Sequence, residues 1–363
     1  MKNCVVTPTF KEHFRYLKQL LISYRKNVED FNEFDYIVIT SDENETEILK
    51  KGLSDFIGEK WLKIYDIESI LGQYNIHTTS EDLLKKIGKF SYQTIKKLYP
   101  MHFFQYEYFF CMNSESLFLK KTNLTKIFDN FLKNRYLFCS NMDVHNMDNY
   151  KNWLDYKTSK SCSELLKIPF DNRWYLETFD WIYEKKIIND LFSHFSDNLY
   201  QEIVDFSTLQ DNDFDKAIFE IILYRQFISF HLKDYGYSLI DIVSELRDEL
   251  GKHKIDLMIQ RLNKENQEIL PWFIYGWEVL NVRDIRIWGK LYKKYKLFSA
   301  RLWAGNYKSR KTIRYTFIRQ TGIQIACASD RINEGEQRGD LEKFFLKLSF
   351  YFYVIVNKLN RRK

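Results

Sequence analysis

The chain has 363 residues, of which 45% are hydrophobic and 29% are charged, and its 4 prolines and 12 glycines leave little room for disordered or linker-like segments. The net charge is +6, but it is unevenly distributed. Residues 281–363 carry 20 basic and 6 acidic side chains, a net charge of +14, whereas the rest of the chain carries 35 basic and 43 acidic side chains, a net charge of −8. A basic tail on an acidic body predicts an anionic partner, which could be membrane lipid, nucleic acid or a charged glycan.

The cysteines and the apolar segments bear on the compartment. Five dispersed cysteines without CxxC spacing favour a reducing environment and argue against a thiolate metal site. The N-terminus enters strand-like sequence without an apolar signal region. The apolar stretch at 348–357 is too short to span a bilayer. We therefore expect a cytoplasmic protein.

In chain order, the first half alternates strand and helix patterns. Strands are predicted at 4–7, 35–40, 62–65, 107–112 and 136–140, and helices at 12–24 and 81–98, the latter broken near Gly88. This alternation predicts an α/β fold with a mostly parallel sheet between helices. The second half is predicted to be mainly helical, with long amphipathic or apolar segments at 174–195 and 215–232.

Three polar loops follow predicted strands. Parallel sheets bind ligands outside the carboxyl ends of their strands, so these loops are candidates for one common site. They are Thr7-Pro8-Thr9, residues 41–45 and Asn113-Ser114-Glu115-Ser116.

The loop at 113–116 has the residue types for cation chemistry. A carboxylate two residues after an amide, at the end of a central strand, can hold a divalent cation that neutralises a diphosphate. The alternative is a polar turn closed by an Asx-type hydrogen bond.

The ordered set of these segments resembles the GT-A class of nucleotide-sugar glycosyltransferases, particularly bacterial enzymes of capsule and lipopolysaccharide synthesis. The resemblance covers residues 1–140. It rests on VVTPTF at 5–10, IVITSDEN at 37–44, YQTIKKLYP at 92–100 and FCMNSESLFLK at 110–120. The last segment stands where the family has its Asp-x-Asp motif.

The resemblance implies a GT-A-like, Rossmann-like catalytic domain at 1–250, with a nucleotide-binding part at about 1–140 and an acceptor part at about 141–250. Residues 251–363 would form a basic, aromatic-rich helical region. The implied activity is transfer of a sugar from a nucleotide-sugar donor, most simply UDP-linked, to a glycan or lipid-linked acceptor.

The resemblance also implies residue roles. Glu115 stands at the second carboxylate, the usual metal ligand, whereas Asn113 replaces the first and contributes no charge. We expect manganese or magnesium binding to be weak or absent. The donor would contact Thr7, Pro8, Thr9, Gln93, Lys97, Asn113 and Ser114. Without metal, Lys96, Lys97 or an arginine of the tail would carry the phosphate charge. The alternative for Lys96 and Lys97 is a solvated face of the helix.

Glycosyl transfer also needs an acidic or basic group at the reaction centre. Glu220 lies in an apolar helix, and its alternative role is a buried pair with Arg225. Glu177 and Asp180 flank aromatic residues that could stack on an acceptor sugar, but they also suit an ordinary amphipathic helix. His145 follows a strand, where it could complete a metal site or line the acceptor side, or be incidental.

The tail at 281–320 interleaves aromatic residues with twelve basic residues and one acid. This composition favours an anionic membrane interface, at the inner face of the cytoplasmic membrane, for a transferase with a lipid-linked acceptor. A helical subdomain with a solvated basic face remains open. Nucleic-acid binding is disfavoured because no RRM or KH signature is present. Two rival functions remain: a noncatalytic nucleic-acid- or membrane-binding protein with a transferase-like shell, and a metal-independent transferase using a CMP-linked donor.

Overall fold

The computed structural model describes residues 2–56, 58–142, 154–207, 215–253, 255–257, 289–301 and 319–327. Its strands are β1 Asn3–Pro8, β2 Asp35–Thr40, β3 Leu62–Asp66, β4 Tyr108–Cys111, β5 Leu117–Phe118, β6 Tyr136–Asn141, β7 Arg173–Trp174, β8 Ile182–Glu184, β9 Ser238–Asp241, β10 Ser299–Arg301 and β11 Ile325–Cys327. Its α-helices are α1 Phe14–Asn27, α2 Glu43–Gly52, α3 Ile67–Gly72, α4 Ser80–Phe103, α5 Leu124–Lys133, α6 Leu154–Leu165, α7 Lys185–His194, α8 Leu199–Phe206, α9 Glu220–Phe230, α10 Leu232–Tyr235 and α11 Ile242–Leu250.

The main sheet has five strands in the order β3-β2-β1-β4-β8. The pairings among β3, β2, β1 and β4 are parallel, and β8 joins β4 antiparallel. The predicted α/β class with a mostly parallel sheet is therefore confirmed. Strand β1 is central and its residues 4–7 are buried. The chain runs outward from β1 through β2 to β3 and then returns to β4 on the other side, so a topological switch point lies between β1 and β4.

The turns from strand to helix in this half are fixed by short polar caps. The Asp42 carboxylate follows β2 and accepts a hydrogen bond from the Glu45 backbone N–H at 2.7 Å, which starts α2. Asp66 ends β3 and caps α3 in the same way through the Ser69 N–H. Because each cap lies at or just after the end of a strand and begins a helix, these two turns stay at the carboxyl edge of the sheet.

Helix α4 spans Ser80–Phe103 and carries the predicted break near Gly88. Gly88 has φ 73° and ψ 171° inside the helix, a combination that residues other than glycine rarely adopt. From Ser91 to Met101 nearly all of the side chains are buried, including two lysines. The first part of α4 is mostly exposed, so the kink turns the later part into the core.

The prediction of a continuous helix over 174–195 is wrong. Residues 182–184 form β8, which pairs with β4 from Tyr108 to Phe110, and only Lys185–His194 are helical. Tertiary pairing with the hydrophobic strand β4 overrides the helical spacing of the aromatic residues. Glu177 and Asp180 consequently lie between strands β7 and β8 rather than on an amphipathic helix.

Among the residues that the structure describes, no helix has the length and hydrophobicity that a bilayer crossing requires. The proposed domain boundary at residue 250 coincides with the end of α11, but most of 251–363 lies outside the described residues, so the division stays a prediction. The same holds for the membrane-binding role of the tail.

Candidate functional site

A cavity of about 580 Å³ opens at the carboxyl ends of β1, β2 and β4. Its wall combines the loops that follow these strands with one face of α4. The lining residues include Pro8, Thr9, His13, Ser41, Asp42, Tyr92, Gln93, Lys96, Lys97, Asn113, Ser114 and Glu115. Pockets for small ligands usually measure roughly 300–1,000 Å³, so the cavity has room for a cofactor-sized ligand.

The residues at the end of β1 and in the loop after it lie partly in the core and partly in the cavity wall. Thr7 is fully buried, and its hydroxyl forms a 2.8 Å hydrogen bond with the Tyr36 hydroxyl, beneath the cavity rather than in its wall. Pro8 and Thr9 do line the cavity. The Thr9 N–H donates to the Ile39 carbonyl at 2.8 Å, which fixes this loop against β2.

The loop at 113–116 is both a turn and part of the cavity wall. The Ser116 N–H donates to the Asn113 carbonyl at 3.0 Å and closes the turn. His13 Nδ1 lies 2.8 Å from Glu115 Oε1 and 3.0 Å from Ser114 Oγ. Sequence reasoning missed His13, which is far from Glu115 along the chain. The available signal was its place just after the β1 loop, at the start of α1.

Lys97 and Glu220 form an ion pair in which the Lys97 side chain is 4% exposed and Glu220 is 0% exposed. The Lys97 ammonium also lies 5.0 Å from the centroid of the Trp181 ring. Burial raises the pKa of Glu220, and the Lys97 charge opposes this rise. The alternative pairing of Glu220 with Arg225 is wrong, because the Arg225 guanidinium donates instead to the Tyr175 carbonyl at 2.7 Å and to Thr178.

Lys96 is 4% exposed, so the alternative of a solvated lysine face is wrong for both lysines. Its ammonium donates to the Thr9 carbonyl at 2.7 Å and to Ser41 Oγ at 3.0 Å. Burial lowers the pKa of Lys96 to about 8, against the opposing effect of the Glu45 and Asp42 carboxylates. The cavity wall thus contains two buried lysines that are anchored differently, one by a carboxylate and one by neutral oxygens.

The divalent cation that the resemblance implies requires several oxygen ligands. Within the described ranges, no group of three or more His, Cys, Asp and Glu side chains is arranged to hold a metal ion. Glu115 and His13 offer two adjacent ligand atoms, and Asn113 offers a neutral amide oxygen nearby in sequence. These residues fit Mg²⁺ or Mn²⁺ only if phosphate oxygens of a ligand complete the coordination, as is common for Mg²⁺.

The other predicted reaction-centre residues are not in the wall of this cavity. Glu177 is fully buried and accepts a hydrogen bond from Ser140. Asp180 accepts from the backbone N–H groups of Phe298 and Ser299, at 3.3 and 3.1 Å, and lines a separate cavity of about 320 Å³. Desolvation raises its pKa to about 7. His145 lies outside the described residues.

No protein-family model matches the sequence, and no curated protein matches it. Solved structures with similarity to the chain include sugar transferases. One is the galactosyltransferase LgtC in complex with donor and acceptor sugar analogues, with 12% identity over 96% of this chain and 95% of that chain, at a TM-score of 0.42. Another is mouse xyloside xylosyltransferase 1 in its apo form, with 10% identity over 70% and 92% of the two chains, at a TM-score of 0.37.

A third similar structure is S. aureus TarS 1–349 in complex with UDP-GlcNAc, with 12% identity over 88% of this chain and 89% of that chain, at a TM-score of 0.33. Likenesses at these TM-scores carry no argument about activity. The function is therefore inferred from the residues of the cavity.

Proposed function

We propose that the chain is a GT-A-type glycosyltransferase that moves a sugar from a nucleotide-sugar donor to a glycan or lipid-linked acceptor. The observation that carries this proposal is the cavity at the carboxyl ends of β1, β2 and β4. It collects the three strand-end loops together with Lys96 and Lys97 of α4. These loops and this helix are the four segments on which the sequence resembles the family.

The donor would lie along α4. Gln93 and Lys97 are one helical turn apart and both line the cavity, so they would reach the same part of the ligand. Lys97 would attract the diphosphate, and the Asn113 amide would hydrogen-bond a ribose hydroxyl. Glu220 is fully buried and is not in the cavity wall, so we assign it the positioning of Lys97 rather than contact with substrate.

The charge of the cavity wall favours a metal-assisted donor over the metal-independent alternative. The lining carries five carboxylates against three lysines, namely Glu12, Asp42, Glu45, Glu81 and Glu115 against Lys89, Lys96 and Lys97. A diphosphate adds further negative charge, and like charges in a partly enclosed site repel each other. A divalent cation at Glu115, completed by the donor phosphates, would relieve this repulsion.

The acceptor side of the proposal rests on the sequence of the tail. A basic, aromatic-rich segment would hold the enzyme at the inner face of the cytoplasmic membrane, where a lipid-linked acceptor of capsule or lipopolysaccharide synthesis is presented. Co-sedimentation with anionic and neutral vesicles tests this part separately. Binding to neither vesicle type would remove the membrane role, and equal binding to both would remove the part played by the basic charge; neither result affects the donor site.

A thermal-shift screen of UDP-, GDP-, CMP- and TDP-sugars, with and without manganese, tests the donor site. We expect at least one nucleotide sugar to raise the melting temperature, and the rise to be larger with manganese. Donor hydrolysis is then compared between the wild type, Glu115→Ala and the control Glu107→Ala, whose exposed carboxylate is not in the cavity wall. Glu115→Ala should lose most turnover, and the control should keep it.

Three results would count against this proposal. If no nucleotide sugar shifts the melting temperature, the glycosyltransferase proposal fails and the noncatalytic rival gains. If full turnover persists in EDTA, the metal-independent rival is correct. If Glu115→Ala hydrolyses every donor as fast as the wild type, Glu115 has no part in the mechanism.

A further inference from the structure

One end of the cavity contains a buried ammonium group with donor capacity to spare. The Lys96 side chain is 4% exposed and donates to the Thr9 carbonyl and to Ser41 Oγ. An ammonium group has three protons, so one of them has no acceptor among these contacts. Buried donors are almost always paired in folded proteins. The third proton is therefore available to an acceptor on a ligand in the cavity.

Two buried hydroxyl groups beside Lys96 also indicate a ligand at this end of the cavity. Thr9 is 2% exposed and Tyr92 is 7% exposed, and both line the cavity. Among the residues that the structure describes, Thr9 Oγ1 has no hydrogen-bond partner, and the Tyr92 hydroxyl has none at hydrogen-bond distance, although the Ser41 and Ser80 side chains are near enough to lower the pKa of Tyr92 against the effect of its burial. Tyr92 is also a neighbour of Lys96, whose ammonium lies 5.7 Å from the centre of its ring. We name Lys96, Thr9 and Tyr92 the Lys96 subsite.

The charges around the Lys96 subsite select a neutral ligand group. Asp42 and Glu45 are close enough to act electrostatically on Lys96, so two carboxylates face one ammonium. A phosphate would add negative charge to this surplus. Both carboxylates already accept backbone hydrogen bonds, Asp42 from the Glu45 N–H and Glu45 from the Lys11 and Ser41 N–H groups. These bonds leave acceptor sites on both carboxylates, so the choice between ligand groups is made by the Lys96 ammonium, which can pair only with a hydrogen-bond acceptor.

We propose that the Lys96 subsite binds the nucleobase of the donor and selects a base with a keto oxygen. This inference rests on the proposed function, because it assigns one end of the donor to one end of the cavity. Uracil, thymine and guanine present a carbonyl acceptor at the position where cytosine and adenine present an amino donor. The Lys96 ammonium would donate to that carbonyl, and the Thr9 and Tyr92 hydroxyls would pair with other polar atoms of the ring.

Calorimetric titration with matched nucleoside diphosphates, in the presence of manganese, tests the inference. UDP and CDP share the ribose and the diphosphate, as do GDP and ADP, so each pair differs in the base alone. In whichever pair binds, we expect the keto base to bind roughly 10- to 100-fold more tightly, because a hydrogen bond from a buried charged donor is lost with the amino base.

The variants separate this role from a structural one. Thr9→Val removes a hydroxyl that has no partner in the free protein, so it should leave the melting temperature unchanged or higher while weakening binding. Lys96→Met should reduce the preference for the keto base toward unity. Lys86→Met, on the exposed face of the same helix and outside the cavity wall, should leave both affinity and preference unchanged.

The outcomes also distinguish the two proposals. If no nucleoside diphosphate binds, the glycosyltransferase proposal and this inference fail together. If both members of a pair bind equally, or the amino base binds more tightly, the inference alone is refuted. It is likewise refuted if Lys96→Met leaves the preference of the wild type intact, or if Thr9→Val leaves the affinity intact.

Discussion

The buried ion pair between Lys97 and Glu220 allows a quantitative prediction. Both side chains are almost completely removed from solvent, at 4% and 0% exposure. Removing one partner of such a pair leaves an uncompensated buried charge, which typically costs about 3–5 kcal/mol. We therefore expect Lys97→Met to lower the free energy of unfolding by about that amount. The double variant Lys97→Met/Glu220→Gln, which leaves no buried charge, should recover most of the loss.

Urea unfolding of the wild type, both single variants and the double variant measures this coupling. We expect the change in the free energy of unfolding of the double variant to differ from the sum of the two single changes by at least about 2 kcal/mol. Burial raises the pKa of Glu220, and Lys97→Met removes the charge that opposes the rise. The folded variant then binds more protons than its unfolded chain, so its stability deficit should shrink as the pH falls from 8 to 5.

The exposed pair of Lys85 and Glu81 on the same helix supplies the control, and Lys85→Met should change the free energy of unfolding by too little to measure. Additive single variants, or a Lys97→Met deficit that is independent of pH, would refute the reasoning. Either result would mean that Lys97 and Glu220 are not paired in the folded protein.

Three further predictions concern protonation and backbone geometry. Burial lowers the pKa of Lys96 from 10.5 to about 8, so the unfolded chain binds more protons between these two values. The free energy of unfolding should therefore rise as the pH rises from 8 to 10. Lys96→Met should lose this rise in urea unfolding, and parallel pH profiles for the variant and the wild type would contradict the prediction. Desolvation raises the pKa of Asp180 from 3.8 to about 7, so its contribution to the free energy of unfolding should fall as the pH rises from 4 to 7. Asp180→Asn should flatten the dependence of the free energy of unfolding on pH in this range. An unchanged dependence would show that Asp180 is solvated. Gly88→Ala should lower the free energy of unfolding by about 1–3 kcal/mol in urea because Gly88 has φ 73° and ψ 171°. Gly52→Ala, with nothing within 4 Å of the added Cβ, should not destabilise the protein. Equal free energies of unfolding for the two variants would contradict the kink at Gly88.

The parts of the fold that the sequence predicts well are those with strong local patterns. The strand at 35–40 has the bounds of β2, and the break near Gly88 is present inside α4. The rule that ligands bind at the carboxyl ends of parallel strands selects three loops, and all three contribute to one cavity. The polar residues that follow strands and the backbone geometry of glycine are local features, so they can be predicted from a single sequence.

What the sequence does not predict depends on partners that are distant along the chain. Lys96 is buried by contact with Thr9, which precedes it by 87 residues, and Lys97 by Glu220, which follows it by 123. No local pattern distinguishes such lysines from a solvated face. His13 reaches Glu115 only because β1 and β4 are neighbours in the sheet. The helix expected over 174–195 is wrong before residue 185 for the same reason, since β4 supplies the pairing that makes residues 182–184 a strand.

The measurement that tests the central claim most directly is a crystal structure of the full chain with manganese and the nucleotide sugar that gives the largest thermal shift. We predict electron density in the cavity at the ends of β1, β2 and β4, with the base beside Lys96 and the diphosphate between Lys97 and Glu115. A nucleotide sugar bound instead in the cavity that Asp180 lines, or on the surface away from α4, would contradict the claim.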